Sequence, residues 1–133
     1  MAEEEHIIFH LVSPERKLAS FEAKSVMIPG MEGDITLLPN HADFLTSLRP
    51  GILVVEDNAT VEEFLVTGGF VDVSESVVTV LAEKAVPMLE ADKTFIGHFI
   101  KEAEEEVGNS TDGQKARADL RLNDLRTLAD LLN

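Results

Sequence analysis

Four histidines are the first side chains in this sequence that could hold a metal or move a proton. His6 and His10 lie four residues apart in a segment with strand-like alternation, so both belong to one face of a predicted strand. A metal site would need further ligands that converge on these two residues. For His6 and His10, as for His41 and His98, we expect structural or surface positions and no metal ligation.

Carboxylates are abundant, but their spacing does not predict acid–base catalysis. Glu62 and Glu63 are adjacent, and the segment 102–106 carries four glutamates. An acid–base pair needs environments that push two pKa values apart, and nothing in these charge runs separates one carboxylate from the next. The sequence contains neither Gly-x-Ser-x-Gly nor the P-loop pattern, and it has no cysteine for thiol catalysis or disulfides. We therefore expect no enzyme activity from this chain on its own.

Glycine pairs could cradle a phosphate if they opened a helix. Gly30, Gly33, Gly68 and Gly69 all lie between predicted strands instead. We expect them to be turn residues that permit a positive φ angle.

The charge of the chain limits its partners. The net charge is −14 and the sequence pI is about 4.5, so nucleic acid phosphates and an anionic membrane surface would both repel it. No apolar run approaches the roughly 18 residues of a transmembrane helix, and the acidic N-terminus predicts no secretory signal. We expect no nucleic acid partner and no direct lipid insertion. A simpler interpretation is that the acidity only keeps the chain soluble.

Residues 1–87 are predicted to form an antiparallel β-sandwich of about ten short strands. Isolated prolines and glycine pairs recur every 8–12 residues or so, which is typical of sandwiches and barrels. In the first run, His6 to Val12, the residues Ile7, Phe9 and Leu11 fall on one face. The later predicted strands lie within residues 18–21, 23–28, 35–38, 44–48, 52–55, 62–66, 70–73 and 77–81.

Residues 88–133 are predicted to form a helix-turn-helix hairpin. Apolar residues recur at three- and four-residue steps from Phe95 to Val107, with Asp92 as a predicted N-cap. A break is predicted over residues 108–113, where Thr111 and Gln114 have capping-box spacing. The second helix has an apolar seam of Ala118, Leu122, Leu125, Ala129 and Leu132.

Two helices alone bury little surface, so the hairpin must pack on the sandwich or on another protein. An element of such marginal stability can occupy more than one position. The second helix carries the basic residues Lys115, Arg117, Arg121 and Arg126. These are either a solvated face with intrahelical ion pairs or a basic surface for an acidic partner.

One continuous stretch, residues 26–42, resembles the signature of ATP synthase epsilon subunits, with Pro-Gly-x-Glu-Gly, a short strand, and Leu-Pro-x-His-Ala. Arg49-Pro50-Gly51, the segment 68–73 and the segment 78–82 follow in the family's order. The resemblance covers nearly the whole chain, and the ordered set is specific although each block is modest. The mitochondrial delta subunit has the same fold, but the early start and the lack of a transit peptide favour a bacterial chain.

The resemblance implies a non-catalytic rotor subunit in the central stalk of a proton-translocating ATP synthase, with no cofactor. It also implies a sandwich that binds the gamma subunit and the membrane ring of c subunits, on the cytoplasmic face of the inner membrane. In the family, the ring-facing loop matches residues 29–34, and an acidic residue there faces basic ring loops. The candidate contact residues are Pro29, Gly30, Glu32, Gly33, Asp34, Asn40 and His41.

The family hairpin either folds onto the sandwich or extends to oppose ATP hydrolysis, with basic residues of its last helix toward the alpha–beta head. Lys115, Arg117, Arg121 and Arg126 are the candidates here. Some members bind ATP through an [IL]-D-x-x-R-A pattern, of which this chain keeps Asp92 but has Phe95 at the arginine position. Phenylalanine lacks the charge and the donor fork that phosphate requires, so no nucleotide site is expected. The alternative function is a free-standing acidic adaptor that uses the same sandwich.

Overall fold

A computed structural model describes residues 5–132. These residues form two compact units, and the chain passes from the first unit to the second between Pro87 and Met88. The outer limits predicted from the sequence, residues 1 and 133, lie outside the described residues, as does most of the acidic N-terminal segment.

The first unit consists of short β-strands joined by tight turns. The strands are β1 (Ile7–Val12), β2 (Lys17–Ala23), β3 (Ser25–Gly30), β4 (Gly33–Leu37), β5 (Phe44–Leu48), β6 (Gly51–Glu56), β7 (Val61–Val66), β8 (Gly69–Ser74), β9 (Val77–Ala82) and β10 (Ala85–Pro87). The predicted strand segments all correspond to observed strands. The sequence did not predict β10 separately, because it has three residues and ends at a proline.

All ten strands form one sheet with the order β10-β7-β6-β3-β5-β8-β9-β1-β2, and β4 pairs with β3. Every pairing is antiparallel except one: β1 runs parallel to β9, with Ile8 opposite Val77 and Val12 opposite Leu81. The sheet is therefore antiparallel, as predicted, except at this junction, where the sequence did not predict a parallel pairing.

The sheet folds over to enclose its core. Phe9 on β1 and Phe64 on β7 lie far apart in the strand order, yet their ring centroids are 6.4 Å apart. β3 and β5 share only the pair Gly30–Leu48, and this is where the sheet passes from one layer to the other. Burial alternates along β1 as predicted, with the inward Phe9 fully buried and the outward Ile8 44% exposed. The architecture is a β-sandwich.

The second unit is a helical hairpin. After a single 3-10 turn (Met88–Glu90), α1 (Lys93–Asn109) and α2 (Asp112–Asp130) pack against each other. Ser110 and Thr111 alone separate the helices, so the connection is much shorter than the predicted break over residues 108–113.

The N-cap of α1 is as predicted, whereas the N-cap of α2 differs from the prediction. Asp92 caps α1, because its Oδ1 accepts a hydrogen bond from the Phe95 amide at 2.8 Å. Thr111 is the N-cap residue of α2, but its side chain makes no capping hydrogen bond, so the predicted capping box with Gln114 is wrong. The Thr111 carbonyl accepts from the Gln114 amide at 3.0 Å instead, and α2 starts on backbone hydrogen bonds.

The buried face of α2 is wider than the predicted seam. Ala118, Leu122 and Leu125 are buried as expected, and Leu132 is also buried although α2 ends before it, at Asp130. The structure adds Leu128 and the carboxylate residue Asp124, whereas the predicted Ala129 is only partly buried. A two-helix seam would bury a narrow stripe, and α2 buries a broad arc.

Candidate functional site

The turn between β3 and β4 is a tight hairpin that presents two acidic side chains. Pro29 pairs with Asp34 and Gly30 pairs with Gly33, which leaves Met31 and Glu32 at the turn. We call residues 29–34 the acidic tip. Its first two residues are buried and its last four are exposed, so the carboxylates of Glu32 and Asp34 project from an anchored base.

Both glycines of the acidic tip are required, but for different reasons. Gly33 has φ of +133°, a conformation essentially restricted to glycine. Gly30 does not have a positive φ, contrary to the prediction for the turn glycines. A Cβ at Gly30 would lie 2.9 Å from both the Gly33 carbonyl oxygen and Ile35 Cδ1, so close packing excludes a side chain there. Gly68 and Gly69 have the predicted positive φ angles.

A second turn lies behind the acidic tip. Leu48 pairs with Gly30, and the Arg49 amide donates a hydrogen bond to the Pro29 carbonyl at 3.0 Å. Gly51 lies so close to Pro29 that a Cβ on it would stand 2.6 Å from Pro29 Cβ. The sequence identified Arg49-Pro50-Gly51 as one block of the family pattern, but nothing in its composition tells which strand it supports.

Asn40 and His41 belong to another turn, residues 38–43, which we call the histidine turn. Asn40 has φ of +66°, which asparagine tolerates better than most residues. Its amide donates to Ser76 Oγ at 2.8 Å and its Nδ2 donates to Glu5 Oε2 at 2.6 Å. His41 Nδ1 donates to the Ala42 carbonyl at 2.9 Å, and its ring lies 5.1 Å from that of Phe44.

The histidine turn is fixed to the turn between β8 and β9. Glu75 and Ser76 both have positive φ, as in a type I′ hairpin, and the Glu75 amide donates to Asp43 Oδ1 at 2.9 Å. Sequence reasoning missed Glu75 and Ser76 as supports, since their role depends on contacts between distant turns.

The acidic tip and the histidine turn lie at the two ends of β4. The strand between them runs from Gly33 to Leu37, which separates these residues by about 13 Å along an extended backbone. Each turn has its own anchoring hydrogen bonds. The two groups of candidate residues therefore have separate supports at opposite ends of one strand.

Each turn also presents an exposed apolar side chain that the sequence analysis did not single out. Met31 in the acidic tip is 43% exposed, and Leu38 in the histidine turn is 56% exposed. Each is a single exposed apolar side chain, which is ordinary on a protein surface and does not by itself define a contact site.

The basic residues of α2 do not form one face. At about 100° per residue, Lys115 and Arg126 lie on one side of the helix, while Arg117 and Arg121 lie on the other. Lys115 and Arg126 border one edge of the buried arc, whereas Arg117 and Arg121 project at angles between those of Asp124 and Leu125, within it. The four basic residues thus form no single charged face, and only Lys115 and Arg126 lie beside the apolar residues at the edge of the arc.

One of these basic residues is engaged within the hairpin. Arg126 Nη2 donates to Glu104 Oε2 on α1 at 3.2 Å, and both side chains are about half exposed. At least one glutamate of the acidic run on α1 therefore balances a positive charge on α2.

The residues that match the nucleotide pattern are used for structure. Asp92 caps α1, and Phe95 packs edge-on against Phe99 with ring centroids 5.0 Å apart. Nothing in this arrangement supplies a positive charge at the arginine position.

Two of the other histidines have local contacts. His10 Nδ1 lies 2.9 Å from Ser20 Oγ, and His98 Nε2 lies 3.3 Å from Glu102 Oε1 one helical turn away. Across residues 5–132, no three His, Asp or Glu side chains are arranged to hold a metal ion. Over the same residues, neither helix has the length and apolar character needed to cross a membrane.

One surface ion pair joins two turns of the sandwich. Lys84 Nζ, just after β9, donates to Glu15 Oε1, in the turn between β1 and β2, at 2.7 Å. This hydrogen bond, with the charge of Lys84, holds the pKa of the Glu15 carboxyl below its ordinary value of 4.5.

Comparison with known proteins identifies the family. Residues 6–88, the whole sandwich, match the family model of the ATP synthase delta/epsilon chain β-sandwich domain. The chain belongs to this family. Among its relatives, the ATP synthase epsilon chain of Cereibacter sphaeroides ATCC 17025 is 45% identical over 90% of this chain and 91% of that protein. The epsilon chain of Ruegeria sp. TM1040 is 52% identical over 71% of this chain and 69% of that protein.

Solved structures show the same fold. A chain of the Euglena gracilis mitochondrial ATP synthase assembly of OSCP, F1 and c-ring matches with a TM-score of 0.73 and 24% identity. That match covers 100% of this chain and 85% of the other. A chain from the Tetrahymena thermophila central stalk and c-ring matches with a TM-score of 0.65 and 19% identity, covering 96% and 99%. At these identities the comparison concerns fold alone.

Proposed function

We propose that this chain is a rotor subunit in the central stalk of a bacterial F-type ATP synthase, where it couples proton flow to ATP synthesis. The observation that carries the proposal is the family match over the whole sandwich. The partners are the gamma subunit and the ring of c subunits, and the chain is held peripherally at the cytoplasmic face of the membrane through them.

The acidic tip is the proposed ring contact. A contact that transmits torque needs a rigid turn with fixed polar groups, and the tip is anchored by Pro29 and by the Gly30–Leu48 pair. Glu32 and Asp34 are exposed on it and carry the charge that basic ring loops would meet. Asn40 and His41 form a second, separately anchored contact surface at the other end of β4.

The hairpin is the proposed regulatory element. When extended toward the alpha–beta head, it would oppose ATP hydrolysis through Lys115, Arg117, Arg121 and Arg126. Lys115 and Arg126 lie together at one edge of the buried arc of α2, so this pair is the best placed of the four to meet an acidic surface.

Reassembly with purified gamma subunit and c-ring tests the rotor proposal. We expect stoichiometric binding, and Asp34→Lys should weaken binding to the ring without affecting binding to gamma. Glu63→Lys is the matched control, because Glu63 is an exposed acidic residue on β7, outside both candidate turns. Failure to bind gamma at all would contradict the assignment and favour the free-standing acidic adaptor.

Deletion of residues 88–133 tests the regulatory proposal separately. We expect ATP synthesis in the reassembled complex to persist while inhibition of ATP hydrolysis is lost. Loss of coupling together with inhibition would show that the hairpin has a structural role in the rotor.

A further inference from the structure

The packing of Gly51 against Pro29 links the first residue of β6 to the base of the acidic tip. A Cβ on Gly51 would lie 2.6 Å from Pro29 Cβ and 2.9 Å from Pro29 Cγ, much closer than side chains approach one another. Both residues are buried, so a displaced proline ring has no open space beside it.

The requirement for glycine at this position arises from space and not from backbone conformation. Gly51 is absent from the glycines with positive φ, which are Gly33, Gly68 and Gly69 among the described residues. It is also held in place, because it pairs with the buried Val66 on β7. If a side chain were added, the sheet would resist movement of Gly51, and Pro29 would have to shift.

A shift of Pro29 would also displace the acidic side chains of the tip. Pro29 pairs with Asp34 across the hairpin, and only Gly30 and Met31 separate it from Glu32. Its carbonyl accepts a hydrogen bond from the Arg49 amide at 3.0 Å and its ring lies against Gly51, so both are held by the same turn. The φ angle of proline is itself locked, so the ring cannot yield without moving the backbone.

We propose that Gly51 is a positioning residue for the acidic tip. Its missing side chain lets Pro29 pack onto the start of β6, and this packing sets the direction in which Glu32 and Asp34 project toward the ring of c subunits. The ring as target rests on the proposed function, whereas the positioning of the tip does not depend on it.

Gly51→Ala in the full chain tests the proposal by two independent measurements. Amide chemical shifts should change most at residues 29–34, and affinity for the purified c-ring in detergent should fall about tenfold. Gly97→Ala is the matched control, because a Cβ at Gly97 on α1 has no atom within 4 Å. A purely structural loss would lower the melting temperature and spread shift changes over the sandwich without concentrating them at the tip.

Pro29→Gly provides the rescue, since it removes the ring that a Cβ at position 51 would meet. In this background, Gly51→Ala should cause little further change in tip shifts or ring affinity. If Gly51→Ala alone does not fold, recovery of folding in the double variant supports the contact. A double variant that remains unfolded, when Pro29→Gly folds, overturns the proposal.

If Gly51→Ala folds and the amide chemical shifts of residues 29–34 do not change, the proposal is also overturned. A third outcome is that the chemical shifts of residues 29–34 change while affinity for the ring does not, or that the chain does not bind the ring at all. Either result would support the positioning role of Gly51 and reject the ring contact.

Discussion

Arg126 on α2 donates a hydrogen bond to Glu104 on α1 at 3.2 Å, so a residue proposed to face an acidic partner already has an acidic partner inside the hairpin. If α1 and α2 separate in the proposed extended form, this pair is broken. The folded hairpin and the proposed extended form would then compete for the same guanidinium group, and mutation can measure the strength of the pair.

Glu104→Gln should favour the extended form. Both side chains are about half exposed, so a double-mutant cycle with Arg126→Ala should give a coupling energy of about 0.2–1 kcal/mol that shrinks as salt is added. In the reassembled complex, Glu104→Gln should strengthen inhibition of ATP hydrolysis, while Glu105→Gln, the neighbouring control, should not. Weaker inhibition in Glu104→Gln would contradict the competition.

The two helix caps should respond differently to alanine. Asp92→Ala removes a side-chain hydrogen bond to the Phe95 amide and should reduce the stability of α1 by about 1 kcal/mol. Thr111→Ala removes no capping hydrogen bond and should change stability by less than about 0.5 kcal/mol. Amide hydrogen exchange in α1 and α2 measures both, and equal losses would contradict the assignment of the caps.

Two glycine-to-alanine changes should have opposite signs. Gly33→Ala forces a side chain into φ of +133° and should destabilise the sandwich by about 1–3 kcal/mol in urea unfolding. Gly97→Ala adds a methyl group into open space inside α1 and should stabilise that helix by about 0.5–1 kcal/mol. Stabilisation by Gly33→Ala would show that the turn adopts another conformation.

The pair Glu15–Lys84 should give the sandwich a pH-dependent contribution to stability. Since Lys84 lowers the folded-state pKa of Glu15 below 4.5, the contribution is present above pH 4.5 and is lost as pH falls through the lowered pKa. Lys84→Gln should raise the pKa of Glu15, as followed by its carboxyl carbon in an NMR titration, and Lys17→Gln serves as the control. An unchanged Glu15 titration in Lys84→Gln would contradict the pairing.

Thermal melts with millimolar ATP should show no stabilisation. A ligand present at a hundredfold excess over its Kd adds about 2.7 kcal/mol, which shifts a domain of this size by several degrees. Phe95 offers no donor for phosphate and packs against Phe99 instead. A clear upward shift that an equal concentration of pyrophosphate does not reproduce would establish a nucleotide site.

Local sequence patterns predicted most of the strands and both helices. Ile7, Phe9 and Leu11 alternate because one face of β1 is buried and the other is not, which is a property of neighbouring residues. The parallel pairing of β1 with β9 was missed because alternation records burial but not the identity of the partner strand. Likewise, Thr111 and Gln114 have capping-box spacing, yet backbone hydrogen bonds start α2 without it.

The sequence proposed the residues of the candidate site, but it could not predict how they are arranged. The motif located Glu32, Asp34 and His41, because turn glycines and prolines recur at fixed positions around them. It did not predict that Gly51 lies against Pro29, or that Ser76 supports Asn40. Both contacts join turns that are distant in sequence, and no local pattern encodes them.

The parallel pairing of β1 with β9 also determines when the sandwich can close during synthesis. β1 emerges from the ribosome first, but one of its edges stays open until Val77–Ala82 has been made. Until then, β1 and β2 form a two-stranded ribbon with an unpaired edge, which is prone to misassociation. Closure across nearly the whole first unit is slow compared with formation of the helical hairpin from local contacts. A defect that delays β9 would therefore lower the yield of folded chain without touching either contact turn.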